Sequence, residues 1–157
     1  MSHKSRSRKN TRPAMSPLLR ALTYSRAAHE PITQAMLLQA YASLDAFRRG
    51  HGSRELFTTL GRQLLVAEEL SRIGHLSDAL ADIAEAQIAM TDIDVAKKAN
   101  GKWIIDGENY AWLSVALDIF EKQLALASLE DIAKAEARMI EGLMRTEQEL
   151  GQTAVTA

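Results

Sequence analysis

The chain has 157 residues, no cysteine and a formal net charge of −1. That length can bury a core without disulfide staples, and the missing thiols exclude a disulfide framework, thiolate catalysis and a cysteine metal site. Alanine, leucine, glutamate, lysine and arginine dominate, aromatics and proline are scarce, and no apolar run approaches the roughly 20 residues of a membrane span.

The near-neutral total hides an asymmetry. Residues 1–29 carry seven Lys or Arg and no acid, so residues 30–157 sum to −8. The first 13, MSHKSRSRKNTRP, lack apolar periodicity and hold five of those seven cations. Such a stretch buries too little apolar surface to offset its ordering entropy, which predicts a disordered basic arm over residues 1–15. Each cation placed on a phosphate releases a counterion, so Lys4, Arg6, Arg8, Lys9, Arg12 and Arg20 are candidate contacts to DNA or RNA. A solubilising tail has the same composition, as does an Arg- and Ser-rich organellar presequence. A secretory signal does not fit, because its apolar core is missing.

Ser16-Pro17 marks a helix start, and Leu18, Leu19, Leu22 and Tyr24 give it a short apolar face as far as His29. Glu30-Pro31 predicts a break, since proline disfavours helical geometry in the residue before it. A longer helix follows to Arg49, with Met36, Leu37, Ala40, Tyr41, Leu44 and Phe47 inward and Arg48, Arg49 and Gly50 as its stop. With Arg54, the arginines make a small basic cluster around Gly50-His51-Gly52, beside a helix N-terminus that suits phosphate. The same arginines serve equally as helix caps, and no phosphate-loop motif is present.

Ser53 to Gly101 organises the chain as two antiparallel helices. Ser53 is an N-cap with Glu55 in the first turn, and Leu56, Leu60, Leu64, Ala67 and Leu70 share one face. Gly74 ends that helix, and Gly74-His75-Leu76 is too short to avoid an antiparallel return. Ser77 is expected to cap the second helix, whose stripe reads Leu80, Ile83, Ala84, Met90 and Ile93. Lys97, Lys98 and Gly101 are its stop signal. The pattern Leu70…Gly74…Ala79-Leu80…Ala86 resembles one tetratricopeptide unit. No second unit follows at the required period, so a plain αα-hairpin is the better reading.

Trp103, Ile104 and Ile105 predict an extended linker tucking apolar side chains under the bundle. Asp106 caps the next helix, with Tyr110, Leu113, Ala116, Leu117, Phe120 and Leu124 on one stripe and Trp112, Val115 and Ile119 beside it. So wide a face places the helix centrally or at a subunit interface formed by Trp112, Val115 and Ile119. Ser128 and Asp131 start the last helix, which Leu129, Ile132, Met139, Ile140 and Leu143 carry to about Glu149. Residues 151–157 are expected to fray.

Signatures of chemistry are missing. His3, His29, His51 and His75 form no metal-binding pair, Asp92 and Asp94 do not share a helix face, and Ser71 and Ser114 have no neighbouring base. No catalytic residue, cofactor or metal ligand is expected. Helix 78–99 carries Asp78, Asp82, Glu85, Asp92 and Asp94, which phosphates would repel, so the hairpin is not a groove reader. Trp103 and Trp112 are candidates for base stacking, but large aromatics in such places belong more often to a core.

The stretches SRKNTRP, LDAFRRGHGSRE and GKWIIDGENYAWLSVALDIFEKQL resemble small helical proteins of prophages and plasmids in proteobacteria. The likeness covers most of residues 6–145 and implies a bacterial cytoplasmic, mobile-element setting, with no functional residues to carry over.

The sequence therefore predicts an all-α bundle of five or six helices over residues 16–150, built from two αα-hairpins behind a basic arm. Its expected role is a non-enzymatic accessory or regulatory protein that associates with nucleic acid through the arm, with Arg48 and Arg49 as a second patch. The alternative is a helical protein-interaction module, either a homodimeric adaptor or a binder of a host factor.

Overall fold

The structure, a computed structural model, describes residues 26–155, with side chains from 29 to 151. Five helices make it up: α1 (Arg26–Arg48), α2 (Arg54–Ile73), α3 (Leu80–Asn100), α4 (Gly107–Leu126) and α5 (Leu129–Val155). A 3-10 turn, Ser77–Ala79, precedes α3. No strand occurs among the described residues, so the fold is all-α. The predicted arm and the helix start at Ser16-Pro17 lie outside the described residues.

Helix α2 is the hub. Its Leu60, Leu64, Ala67 and Leu70 are buried, and it packs against α1, α3, α4 and α5. Helices α1 and α3 each also pack on α4, which closes a four-helix layer, while α5 lies outside on α2. The core has two parts. Phe47, Leu60, Leu64, Ile93, Leu113 and Leu117 fill one, and Val66, Leu70, Phe120, Leu124, Ile132 and Met139 the other.

The expected break at Glu30-Pro31 does not occur, because α1 runs through Pro31. A proline here forfeits one amide hydrogen bond, and one local and one tertiary set of contacts hold the turn against that loss. The His29 Nε2 lies 2.8 Å from the Ala127 carbonyl, and the buried Thr33 hydroxyl donates to the carbonyls of His29 and Glu30.

The central hairpin closes as the sequence predicts. Ser53 Oγ accepts from the Leu56 amide at 3.2 Å. Gly74 has φ +122°, and the His75 amide reaches back to the Leu70 carbonyl at 2.9 Å, satisfying a carbonyl at the end of α2. Ser77 is no cap; its hydroxyl donates to the Ser71 carbonyl at 3.0 Å, and the 3-10 turn leads into the helix instead. Ile83, Met90 and Ile93 of the expected stripe face inward, but its two flanking members do not. Leu80 and Ala84 are exposed, and Ala79, Ile83, Ala86, Ala89, Met90 and Ile93 are buried.

The second pair departs from the first. Asp106 Oδ1 caps α4 through the Asn109 amide at 2.7 Å, and Ser128 Oγ caps α5 through the Asp131 amide at 3.1 Å. Ala127 between them is extended, with no left-handed glycine to fold α5 back, and α5 leans on α2. It continues to Val155, past the expected end near Glu149.

Candidate functional site

Two surfaces and one buried network stand out. The first surface is the end of the bundle where Gly50–Ser53 meets Gly101–Asp106. Trp103 is its keystone. Its ring stacks on Phe57 at 5.1 Å and meets Phe47 edge-on at 5.8 Å, and Arg54 and Lys97 lie over it at 5.6 and 5.7 Å. With its faces taken this way, Trp103 is a packing residue and not a platform for a base. Gly52 sits against the same cluster so closely that a Cβ there would fall 2.6 Å from the Phe47 ring. Ile104 stays exposed, so only part of the apolar linker is tucked under.

Around this aromatic centre the fold gathers Arg48, Arg49, Arg54, Lys97, Lys98 and Lys102. Arg48 lies over the Tyr110 ring at 5.5 Å, Arg49 pairs with Asp45 at 2.7 Å, and Arg54 and Lys98 flank Asp94. The hydrogen bond from Lys98, with both cations nearby, holds the Asp94 carboxyl below the usual carboxylate range. A cleft of about 470 Å³ lined by Arg48, Gly50, Lys102 and Trp103 opens here. Arg48 and Arg49 thus stand together at this end, and Lys97 and Lys98 from the last turn of α3 and Lys102 from the loop after it join them from some fifty residues later. Lys4, Arg6, Arg8, Lys9, Arg12 and Arg20 lie outside the described residues. The chain enters α1 at Arg26, about 33 Å of helix away from Arg48.

The second surface is α5. Ile132, Ala135 and Met139 are buried against α2, and then burial stops: from Ile140 to Gly151 no side chain is buried. Yet the apolar periodicity persists, leaving Ile140, Leu143, Met144 and Leu150 exposed, the last two by 56% and 67%. Beside this stretch a cleft of about 330 Å³ lies between α1, α2 and α5. On its lining, Gln63 is 9% exposed and its Oε1 is buried with no hydrogen-bond partner.

The interface expected on α4 is mostly spent internally. Ile119 is in the core with Val66 and Phe120, and Trp112 is half-buried against the Leu113 cluster. Val115 alone of the three is exposed. The face is wide because α4 meets α1, α2 and α3 at once. On its α1 side, Tyr41 donates to Asp118 and Glu121 at 3.1 and 3.2 Å, and burial together with these acids pushes the phenol far up from its usual range.

The buried network was not read from the sequence. Gln123 is fully buried, and its Nε2 donates towards the Ala67 carbonyl, Ser71 Oγ and the His75 carbonyl at 2.8–3.0 Å. It ties α4 to the turn that ends α2. The available signal was a polar residue at a position where the stripe of Phe120 and Leu124 demands an apolar one.

Among the described residues no group of three or more His, Asp or Glu is placed to hold a metal ion, and no helix is long and apolar enough to cross a membrane. Compared with protein-family models, curated proteins and solved structures, the chain finds no match.

Proposed function

We infer that this is a non-enzymatic accessory or regulatory protein that associates with nucleic acid through basic residues, largely without sequence specificity. The observation that carries this reading is the segregation of charge. Six of the twelve Lys and Arg in residues 30–157 lie at the Trp103 end, where Asp45, Glu55, Asp94, Asp106 and Glu108 are the acids. The rest of that region holds six bases against fifteen acids, so a polyanion would be repelled everywhere else on the body. One end near neutrality is a place of approach, not an anchor. The anchor in this reading is the arm, with Lys4, Arg6, Arg8, Lys9 and Arg12 on phosphates.

The test is a salt series on duplex DNA and on RNA, comparing the full chain with one in which those five residues are glutamine. Five phosphate contacts predict a log–log salt slope near about −4.5 on duplex DNA, largely lost in the substituted chain. Absence of binding at low salt would remove the proposal.

A second reading, a helical protein-interaction module, is favoured by the exposed stripe of α5. An amphipathic helix whose apolar face continues past its own core is a usual means of binding another helix. It predicts that Met144→Glu abolishes partner binding and leaves the fold intact by circular dichroism.

A further inference from the structure

The cations of the Trp103 end are not equally committed. Arg49 pairs with Asp45, Arg54 and Lys98 flank Asp94, and the Lys97 ammonium donates to the Gly101 carbonyl. The side chains of Arg48 and Lys102 make no ion pair or hydrogen bond among the described residues, and Arg48 is held by the face of the Tyr110 ring. These two are the cations that line the cleft of about 470 Å³, and no acid lines it with them.

The rest of the lining is apolar side chain and glycine backbone. Ile104 is 46% exposed, while Trp103 and Ile105 on either side of it are half-buried. Gly50 and Gly101 leave open space where a Cβ would stand, so a ligand can approach the chain closely. Uncommitted Arg and Lys keep their donors for phosphate oxygens, and the Tyr110 ring fixes the guanidinium beforehand. A bare phosphate would use these cations and leave Ile104 wet. A ligand that joins an anion to a flat apolar face uses both halves of the lining.

We propose that this cleft binds one nucleoside phosphate unit, with the phosphate on Arg48 and Lys102 and the base against Ile104 and Ile105. The base lies on aliphatic side chains because Phe57 and the cations already cover the Trp103 ring. The volume suits one small ligand, so a base enters only when it is unpaired and unstacked. The source is then a single strand or a free nucleotide. Only the choice of a strand rests on the nucleic-acid reading; the cleft itself does not. On a strand, the cleft adds a preference for unpaired over paired nucleic acid, which contacts to phosphates alone do not give.

The test is an NMR titration of the isotope-labelled full chain with adenosine monophosphate, single-stranded oligothymidine and inorganic phosphate. The first two should shift the amides of residues 48–52 and 101–105. Arg48→Gln with Lys102→Gln should weaken both by about tenfold or more. Ile104→Ala should weaken the nucleotide and leave inorganic phosphate unchanged. All three side chains are exposed, so the variants should keep the fold, which circular dichroism checks. Silent amides at the cleft overturn the proposal, as does unchanged affinity in the glutamine variant. Inorganic phosphate binding as tightly as the nucleotide also overturns it, leaving a bare anion site. A strand held more tightly than the nucleotide supports the cleft as a single-strand site, and equal affinity supports it as a site for free nucleotide. The two readings fail separately. A chain with glutamine at the five arm positions that loses DNA and RNA but still binds the nucleotide keeps the cleft. Duplex binding with the expected salt slope but silent cleft amides sinks the cleft alone.

Discussion

The two ends of the bundle are closed by different physics. At the end where α2 meets α3 and α4 meets α5, polar groups do the joining. Gln123 reaches three acceptors, Ser71 Oγ donates to the Leu76 carbonyl, His75 contacts Asp131 at 3.0 Å, and His29 contacts the Ala127 carbonyl. At the other end the joints are aromatic, with Trp103 between Phe47 and Phe57 and cations over the ring. Directional bonds set the angle at which α5 departs from α4. Stacking sets no such angle, but it holds cations near the surface with their charge intact. The polar end specifies topology, and the aromatic end presents charge.

The strongest way to break the polar end is Gln123→Ala. It leaves a void and strips a donor from buried acceptors, so a loss of about 2–4 kcal/mol is expected. Urea unfolding with an unchanged m-value would measure it. A loss below about 1 kcal/mol would mean that Gln123 fills space and joins nothing. The matching test at the aromatic end is Gly52→Ala. Its Cβ would meet the Phe47 ring and Trp103 Cβ at 2.6 and 2.7 Å, so one of them must move. An overpacking cost of about 1–3 kcal/mol is expected, with a shift in Trp fluorescence that Gln123→Ala does not produce. Gly74→Ala comes third. At φ +122° an alanine is strained by about 1–2 kcal/mol, and no atom lies close enough to clash. Equal effects at Gly52 and Gly74 would erase the distinction between a glycine needed for space and one needed for its backbone angle.

These examples also show what the sequence could disclose. The caps at Ser53, Asp106 and Ser128 and the stops at Gly74 and Gly101 were legible, because each depends on atoms within a few residues. Pro31 was misread because the contacts that keep α1 whole come from Thr33 nearby and from Ala127 far along the chain. On α3, Leu80 and Ala84 flank the inward line of Ala79, Ile83, Ala86, Met90 and Ile93, and alanines such as Ala86 and Ala89 carry too weak an apolar signal to show which flank is buried. Arg48 and Arg49 were visible as a basic pair. That Lys97, Lys98 and Lys102 stand with them is a fact of the fold. The uncovered face of α5 was hidden for the same reason, since Ile140 and Leu143 carry the periodicity of a buried stripe whether or not anything covers them.

The smallest expected effect tests whether the polar end is charged as well as hydrogen-bonded. The His75 hydrogen bond holds the Asp131 carboxyl below the usual carboxylate range, and Ser128 and Lys134 act in the same direction against burial. Asp131 also lies in the first turn of α5, where a negative charge is favoured. A carboxyl with a depressed folded pKa binds its proton more tightly when the chain unfolds. Its contribution is therefore complete above the unfolded value of about 3.9 and is lost as pH falls through the lower folded value. The chain holds 20 acidic residues, so its total acid sensitivity does not report on one of them. The comparison with Asp131→Asn isolates one group. Between pH 6 and pH 3 the unsubstituted chain should lose more stability in urea than the Asn variant. His75→Ala should shrink that difference, because it removes the first cause of the depression. A difference that survives His75→Ala would place the origin in the helix terminus and Ser128, leaving His75 as a brace between the α2–α3 turn and α5.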